Sequence, residues 1–263
     1  MLLLGGTAFP DSGPALASSL DGGLRALGVT PAVIHVDGGR WPQIDSLSID
    51  LSDGHLPENI DVFPGGAAPE LGIDVKRFAI KGAPVLVREA PVQFDLRAED
   101  VSFDFERNKA GQPMLTLASA RDGSIELQFS HADLEALVLS IGREIAGQHG
   151  IKIESAKIAI EPDGAHAVAF AADIFARKMF VTAVIALKGR VEVNEKFELL
   201  VKGLTCESSG MIGSIACGAI RPQLAQWNGK KIAPMALLDS GLNLRDLGIE
   251  TGDVVRLHAK FSS

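Results

Sequence analysis

An amphipathic helix followed by a run of alternating strands is the feature that most restricts how this chain can fold. The segment HADLEALVLSIGREIAGQHG places large aliphatic residues on one stripe of a 3.6-residue period, namely Leu134, Leu137, Val138, Ile141 and Ile145. Segments with the alternation of half-buried strands follow it: IKIESAKIAI, AVAFAADIF, MFVTAVIAL, KFELLVKG and VVRLHAKF. The pattern therefore predicts a helix that packs on a sheet.

A second apolar helix is predicted from about Ser209 to Trp227, with Pro222 inside it. One side of this helix carries Met211, Ile212, Ile215, Ala216, Ala219, Ile220 and Leu224. The glycines of ESSGMIGSIACG allow two interpretations. They let the helix lie close on the sheet, or they belong to a helix N-terminus that presents N–H groups to an anion. Close packing is favoured, because no G-x-G-x-x-G or Walker A sequence is present.

The N-terminal half is predicted to begin with a short helix and to continue almost wholly as strands. Asp11 or Ser12 caps the helix, Pro14 lies in its first turn, and Leu16, Leu20, Leu24 and Leu27 share one side. Gly22 and Gly23 weaken it by about 1 kcal/mol each relative to alanine. The proline- and glycine-rich segment HLPENIDVFPGGAAPELG is predicted as a loop. Alternation then places hydrophobic side chains on one face of each strand, for example Leu47, Ile49 and Leu51, or Val101, Phe103 and Phe105.

Strands that come in runs, rather than in βαβ alternation, predict an α+β protein with a mainly antiparallel sheet. Long strands with two apolar helices also suit a long, strongly curved sheet wrapped around two or three amphipathic helices. We predict a single domain over residues 1–263. It has a strand-rich part, residues 1–130, and a helix-strand-helix-strand part, residues 131–263.

Charge and cysteine usage narrow the possible partners and the compartment. The net charge of −8 repels phosphate backbones, so nucleic-acid binding is not expected. The longest apolar segments fall far below the ~20 residues that cross a bilayer. The opening MLLLGGTAFPDSGP has no basic region before its short apolar stretch, which predicts a cytoplasmic protein, at most peripheral to a membrane. Cys206 and Cys217 form no C-x-x-C pair, which predicts two free thiols in a reducing compartment.

Catalytic and metal-binding motifs are missing from the sequence. The histidines are scattered, and none lies in an H-x-x-x-H or H-E-x-x-H pattern. A nucleophile such as Cys206 or Ser209 could pair with a distant histidine, but no G-x-S-x-G elbow supports it. We predict a protein without enzymatic activity, with no catalytic residue, no metal and no cofactor.

The order of elements from Gly123 onward resembles a known family. The segments that carry the resemblance are GSIELQFSHADLEALV, IKIESAKIAI, KGRVEV, ACGAIRPQLAQWNGKKI and LGIETGDVVRLHAKF. Together they resemble the LmeA-like phospholipid-binding family of bacteria, which is related to the tubular lipid-binding (TULIP) superfamily. The resemblance covers about the last 140 residues. It implies a non-enzymatic fold in which helices rest in a curved sheet and a hydrophobic groove holds lipid acyl chains.

The function predicted from these observations is binding of phospholipid or fatty acid in a hydrophobic groove, with transient membrane contact, for lipid transport or membrane-lipid homeostasis. The proposed groove residues are Leu134, Leu137, Val138, Ile141, Ile145, Met211, Ile212, Ile215, Ile220, Leu224, Phe170 and Phe180. Basic residues near the expected element ends would meet the headgroup: Arg177, Lys178, Arg221, Lys230 and Lys231. The alternative is a protein-interaction or scaffold module, including a homodimer, with a plain packed core.

Overall fold

A computed structural model describes residues 1–56, 70–87, 90–147, 150–164, 166–178, 180–232 and 242–263. The helices are α1 (Gly13–Ala26), α2 (His131–Gly147) and α3 (Gly210–Trp227). The strands of the N-terminal half are β1 (Leu2–Leu3), β2 (Val33–Asp37), β3 (Gln43–Asp50), β4 (His55–Leu56), β5 (Glu70–Val87), β6 (Ala90–Arg107) and β7 (Pro113–Ser130). The remaining strands are β8 (Lys152–Pro162), β9 (Ala167–Lys178), β10 (Val181–Val193), β11 (Leu199–Ser208), β12 (Lys231–Ile232), β13 (Asn243–Glu250) and β14 (Val254–Ser262).

The strands form two sheets. The first sheet is mixed and has the order β13-β14-β7-β6-β5-β3-β2, with β1 paired to β7 and β4 paired to β5. Within the described strands, β3 with β5 and β4 with β5 are parallel pairs. The second sheet is antiparallel and has the order β12-β11-β10-β9-β8. The predicted combination of few helices with many strands is confirmed, and the parallel pairs are a feature that the alternation of residues did not indicate.

The chain divides into two compact units. Unit 1 comprises Met1–Leu127, Met235–Asp246 and His258–Ser263, and unit 2 comprises Gln128–Pro234 and Leu247–Leu257. The first boundary lies close to residue 130, where the sequence predicts the change from a strand-rich part to a helix-containing part. A single lipid-binding domain over the whole chain stays a prediction.

Unit 1 packs α1 against the first sheet. Ser12 occupies the N-cap position of α1 with extended backbone and no side-chain capping hydrogen bond, proline follows in the first turn, and Leu16 and Leu20 are fully buried. The predicted apolar face of β3 is also confirmed, because Leu47 and Ile49 are buried. The core continues into β5, β6 and β14 through Val75, Phe78, Val101, Phe103, Phe105 and Phe261. Of the predicted loop, residues 57–69 lie outside the described residues, and its two ends belong to β4 and β5.

Unit 2 places α2 and α3 on the antiparallel sheet. Helix α2 packs on β8, and α3 packs on β9, β10 and β11. Both helices were predicted at these positions, and α3 ends at Trp227 as expected. Their shared core is built from small and aliphatic side chains: Ala146, Ile151, Ile153, Ala156, Ile174, Ala176, Ile185, Ala216 and Cys217. No helix in the described part of the chain has the length and apolarity needed to span a membrane.

Candidate functional site

The predicted lipid site corresponds to the space between α2, α3 and the sheet of unit 2. A small apolar cavity lies there, and we call it the helix slot. It is lined by Gly142, Ala146, Ile151, Ile153, Ile174, Ile185, Ala216, Ala219 and Ile220. Its volume is about 20 Å³, roughly the space of one water molecule. The lining of the slot is therefore apolar, but its volume in this structure is too small for an acyl chain.

The structure corrects which face of α2 meets the sheet. The side chains packed against the core are Val138, Leu139 and Ala146, and a Cβ on Gly142 would lie 3.7 Å from Ile153 Cγ1. The predicted stripe is thus rotated around the helix, and Ile141 is 37% exposed. The rotation has a physical reason: glycine and alanine let the helix approach β8 more closely than a row of isoleucines would.

The outer face of α2 is also apolar. Leu134 and Leu137 are half-buried, and they lie on the part of the helix that carries the exposed Ile141. The side chain of Ile145 lies outside the described residues. Helix α2 therefore presents hydrophobic side chains both to the sheet and away from it.

Helix α3 turns its small residues toward the sheet. Ala216 and Cys217 are 3% exposed, and Ala219 and Ile220 line the helix slot. Leu224 is half-buried, whereas Ile215 is 48% exposed and does not line the slot. The side chains of Met211 and Ile212 lie outside the described residues. Of the predicted groove residues on α3 whose side chains are described, Ile220 lines the slot, and Ile215 and Leu224 do not.

The two predicted phenylalanines lie away from the helix slot. Phe170 is half-buried on the same face of β9 as Ile174, four residues along the strand and so about 13 Å distant. Its ring covers Gly189 of β10, where an added Cβ would lie 2.6 Å from the ring. Phe180 lies in the β9–β10 turn and is 96% exposed. Phe180 does not line the helix slot, and its role as a groove wall stays a prediction.

The prediction of two free thiols is wrong. Cys206 of β11 and Cys217 of α3 form a disulfide, with their Cα atoms 5.6 Å apart. The two positions are 11 residues apart in sequence, but the chain reverses at Ser209 and brings the start of α3 back over β11. A spacing rule for metal or redox motifs does not detect such a pair. The bond fastens α3 covalently to the sheet.

The predicted headgroup residues do not converge. Arg177 pairs with Glu154 at 2.9 Å, whereas Lys230 lies 3.8 Å from the centre of the Trp227 ring. Lys231 pairs with Glu198 at 3.7 Å, and Arg221 is exposed. Lys178 has a side chain outside the described residues. A hydrogen bond from Asn194 and the charge of Lys231 hold the pKa of Glu198 below its ordinary value.

The separation of these basic residues follows from the sheet register. Val181 lies at one end of β10, and Glu192 lies near the other end, paired with Leu200 of β11. Leu200 in turn pairs with Lys231. Eleven residues of strand separate the two ends, which is about 36 Å. Arg177 and Lys231 therefore cannot bind one headgroup.

Unit 1 contains a larger cavity that sequence reasoning missed. It has a volume of about 610 Å³ and crosses the neighbouring strands β13, β14, β7, β6, β5 and β3. We call it the sheet trough. Its charged lining residues are Arg77, Arg97, Glu99, Asp122, Arg245 and Lys260. They come from segments far apart in sequence and become neighbours only through strand pairing, so no local motif could reveal them.

Ion pairs compensate only some of these charges. Asp95 accepts two hydrogen bonds from Arg97, at 2.8 and 2.6 Å, and Arg121 pairs with both Glu99 and Asp122. Within the described ranges, Arg77, Arg245 and Lys260 have no carboxylate within ion-pair distance. Arg245 donates a hydrogen bond to Ser262 Oγ at 2.8 Å. The sheet trough can therefore hold an anion.

Comparisons with known proteins give no assignment. No family model, curated protein or solved structure matches the chain.

Proposed function

We propose that the protein binds phospholipid or fatty acid without catalysing a reaction, and that the acyl chain enters the helix slot of unit 2. The observation that carries the proposal is the slot itself, which lies between two helices and is lined by aliphatic side chains and small residues. The resemblance to the LmeA-like family supports the same function. In this proposal the finer fold is also TULIP-like, with helices resting on a curved sheet.

Entry of a chain requires α2 and α3 to separate. The disulfide joins α3 to β11, whereas α2 is held on β8 by packing and by hydrogen bonds such as Ile158 N–H to Glu135 Oε1, 3.1 Å. We therefore expect α2 to move. Burial of about ten methylenes at ~0.8 kcal/mol each is worth about 8 kcal/mol, equivalent to micromolar affinity before the cost of opening.

Filling the slot should weaken binding of a fatty acid. Ala219→Phe places a ring where the acyl chain would lie, and we expect affinity for a dansyl-labelled fatty acid to fall by about tenfold or more. Ala225→Phe adds the same ring at an exposed position of α3 and should bind as the unmodified protein does. Equal affinity of the two variants would contradict the proposal. Ile220→Ala, which enlarges the slot, should bind at least as tightly as the unmodified protein, and thermal unfolding checks that each variant is folded.

The scaffold alternative makes a different prediction for the outer face of α2. If Leu134, Leu137 and Ile141 formed the seam of a homodimer, native mass spectrometry would show an empty dimer. Under the lipid proposal it shows protein carrying the mass of a phospholipid or fatty acid. The protein is purified without detergent, because detergent would displace a bound lipid.

The compartment is tested separately. The sequence predicts a cytoplasmic protein peripheral to a membrane, whereas disulfides persist mainly in oxidising compartments. Maleimide labelling of whole-cell lysates prepared under acid quench distinguishes the cytoplasm from an oxidising compartment. Labelling before reduction supports the cytoplasm, and labelling only after reduction supports an oxidising compartment.

A second candidate function, anion binding by unit 1, is favoured by Arg77, Arg245 and Lys260 of the sheet trough, which have no described carboxylate within ion-pair distance. We expect Arg77→Gln together with Lys260→Gln to weaken binding of dodecyl phosphate, measured by calorimetry, by about tenfold. Lys109→Gln removes an exposed charge of the same unit outside the trough and should have no effect. Equal weakening by the control would indicate a general charge effect and contradict a trough site.

A further inference from the structure

We propose that unit 2 docks on an anionic lipid bilayer through the end of its sheet that carries the β9–β10 turn. This docking end comprises Ile141, Arg143, Lys152, Arg177, Phe180, Val181 and Ile215. The choice of a lipid partner rests on the proposed function, but the surface itself is defined by exposure and charge.

Exposed hydrophobic side chains mark the docking end. Phe180 is 96% exposed and Val181 is 57% exposed, side by side in the turn and at the start of β10. Ile215 of α3 and Ile141 of α2 are 48% and 37% exposed. Single exposed aliphatic residues are ordinary, but a fully exposed phenylalanine with apolar neighbours marks an interaction site.

Register places these residues at one end of the sheet. Lys152 at the start of β8 pairs with Arg177 at the end of β9, and Val181 pairs with Lys178 across the turn. Strand β11 stops opposite Ile185, so the β9–β10 turn projects beyond it.

Both helices reach the same end. An added Cβ on Gly213 of α3 would lie 3.6 Å from Ala183 Cβ, next to the projecting turn. Arg143 of α2 donates a hydrogen bond to the carbonyl of Ile153, near the start of β8, at 3.4 Å. The helix slot, lined by Gly142, Ile153, Ile185 and Ala216 among others, therefore lies close to this end of the sheet.

The charge of the docking end is opposite to that of the whole chain. Arg143, Lys152 and Arg177 are exposed there, and Glu154 lies beside Arg177. Arg177 forms an ion pair with Glu154, and among the described side chains no carboxylate lies within ion-pair distance of Arg143 or Lys152. Three exposed basic side chains, with Glu154 as the acidic neighbour of one of them, give a local excess of positive charge in a protein of net charge −8.

This combination selects a bilayer over a second copy of the chain. Apolar side chains with adjacent cations suit the boundary between headgroups and acyl chains, where each lysine or arginine contributes about 1 kcal/mol on an anionic surface. An isologous dimer would place the same cations opposite each other.

The test is sedimentation of the full chain with vesicles. We expect binding to phosphatidylcholine vesicles containing phosphatidylglycerol and much weaker binding to phosphatidylcholine alone. Phe180→Ser should raise the dissociation constant by about tenfold or more, since burying a phenylalanine is worth about 1.5–3 kcal/mol. Lys152→Gln should raise it by about fivefold on the anionic vesicles only.

A matched control distinguishes binding through the docking end from non-specific hydrophobic adsorption. Val33→Ser removes a valine that is 51% exposed in unit 1, whereas Val181→Ser removes one that is 57% exposed at the docking end. Only Val181→Ser should weaken vesicle binding. The proposal is overturned if Phe180→Ser binds vesicles as well as the unmodified protein, or if ultracentrifugation shows that Phe180→Ser dissociates a dimer.

Failure of the docking proposal can be told from failure of the lipid proposal. Phe180→Ser should retain its affinity for the soluble dansyl fatty acid, because Phe180 does not line the helix slot. Retained fatty-acid binding without any vesicle binding would overturn docking and leave the proposed function intact.

Discussion

Replacing Gly23 with alanine is expected to lower the free energy of unfolding of unit 1 by about 3 kcal/mol or more. A Cβ at Gly23 would lie 1.8 Å from the carbonyl oxygen of Leu3, which is backbone and cannot move aside cheaply. The segment after β1 is also tied to α1, because Gly5 N–H donates to the carbonyl of Ser19 and Ser19 Oγ donates to the carbonyl of Gly5. The measurement is urea unfolding followed by Trp41 fluorescence in a Trp227→Phe background.

Gly218 provides the matched control, since it also lies inside a helix but has no described atom within 4 Å of an added Cβ. Gly218→Ala should be neutral or stabilise α3 by up to about 1 kcal/mol, the ordinary helix preference of alanine. If Gly23→Ala behaved as Gly218→Ala does, α1 could not lie against β1 in the way described.

Removing the disulfide is expected to lower the free energy of unfolding of unit 2 by about 3 kcal/mol. Cys206 and Cys217 close a short loop, and a crosslink over such a loop typically stabilises by about 2–4 kcal/mol, chiefly by restricting the unfolded chain. The variant Cys206→Ala with Cys217→Ala should therefore unfold at lower urea concentration. Trp227 fluorescence in a Trp41→Phe background reports this transition.

Reductant supplies the control for this experiment. Dithiothreitol should shift the midpoint of the unmodified protein toward that of the double variant and leave the double variant unchanged. Two results would contradict the disulfide and the attachment of α3 to β11. The first is a mass of the unmodified protein that corresponds to two free thiols. The second is a urea midpoint that does not change when dithiothreitol is added.

Elements with a strong period could be predicted from the sequence. The leucine spacing that predicted α1 is confirmed, because Leu16 and Leu20 fill the core of unit 1, and the helix begins after Ser12 at its N-cap position. The alternation in β3 is confirmed in the same way. Period and capping are local properties, and local properties are visible in a single chain.

The face of α2 and the partner of Cys206 could not be predicted, because both depend on close approach. Periodicity counts large apolar residues, so it selected Ile141 and passed over Gly142 and Ala146, which contact the sheet. For the same reason Gly23 was predicted only to weaken α1, whereas the absence of a side chain at Gly23 lets the backbone of Leu3 in β1 lie against the helix. The sheet trough depends on long-range strand order, which no window of sequence contains.

The central claim, that an acyl chain lies between α2 and α3, is tested most directly by photocrosslinking. A fatty acid with a diazirine near its methyl end is bound to the intact protein, irradiated, and located by peptide mass spectrometry. We predict labelled peptides from residues 131–147 and 210–227, with labelling lost in Ala219→Phe and kept in Ala225→Phe. Labelling confined to unit 1, or labelling of unit 2 that Ala219→Phe does not reduce, would contradict the account.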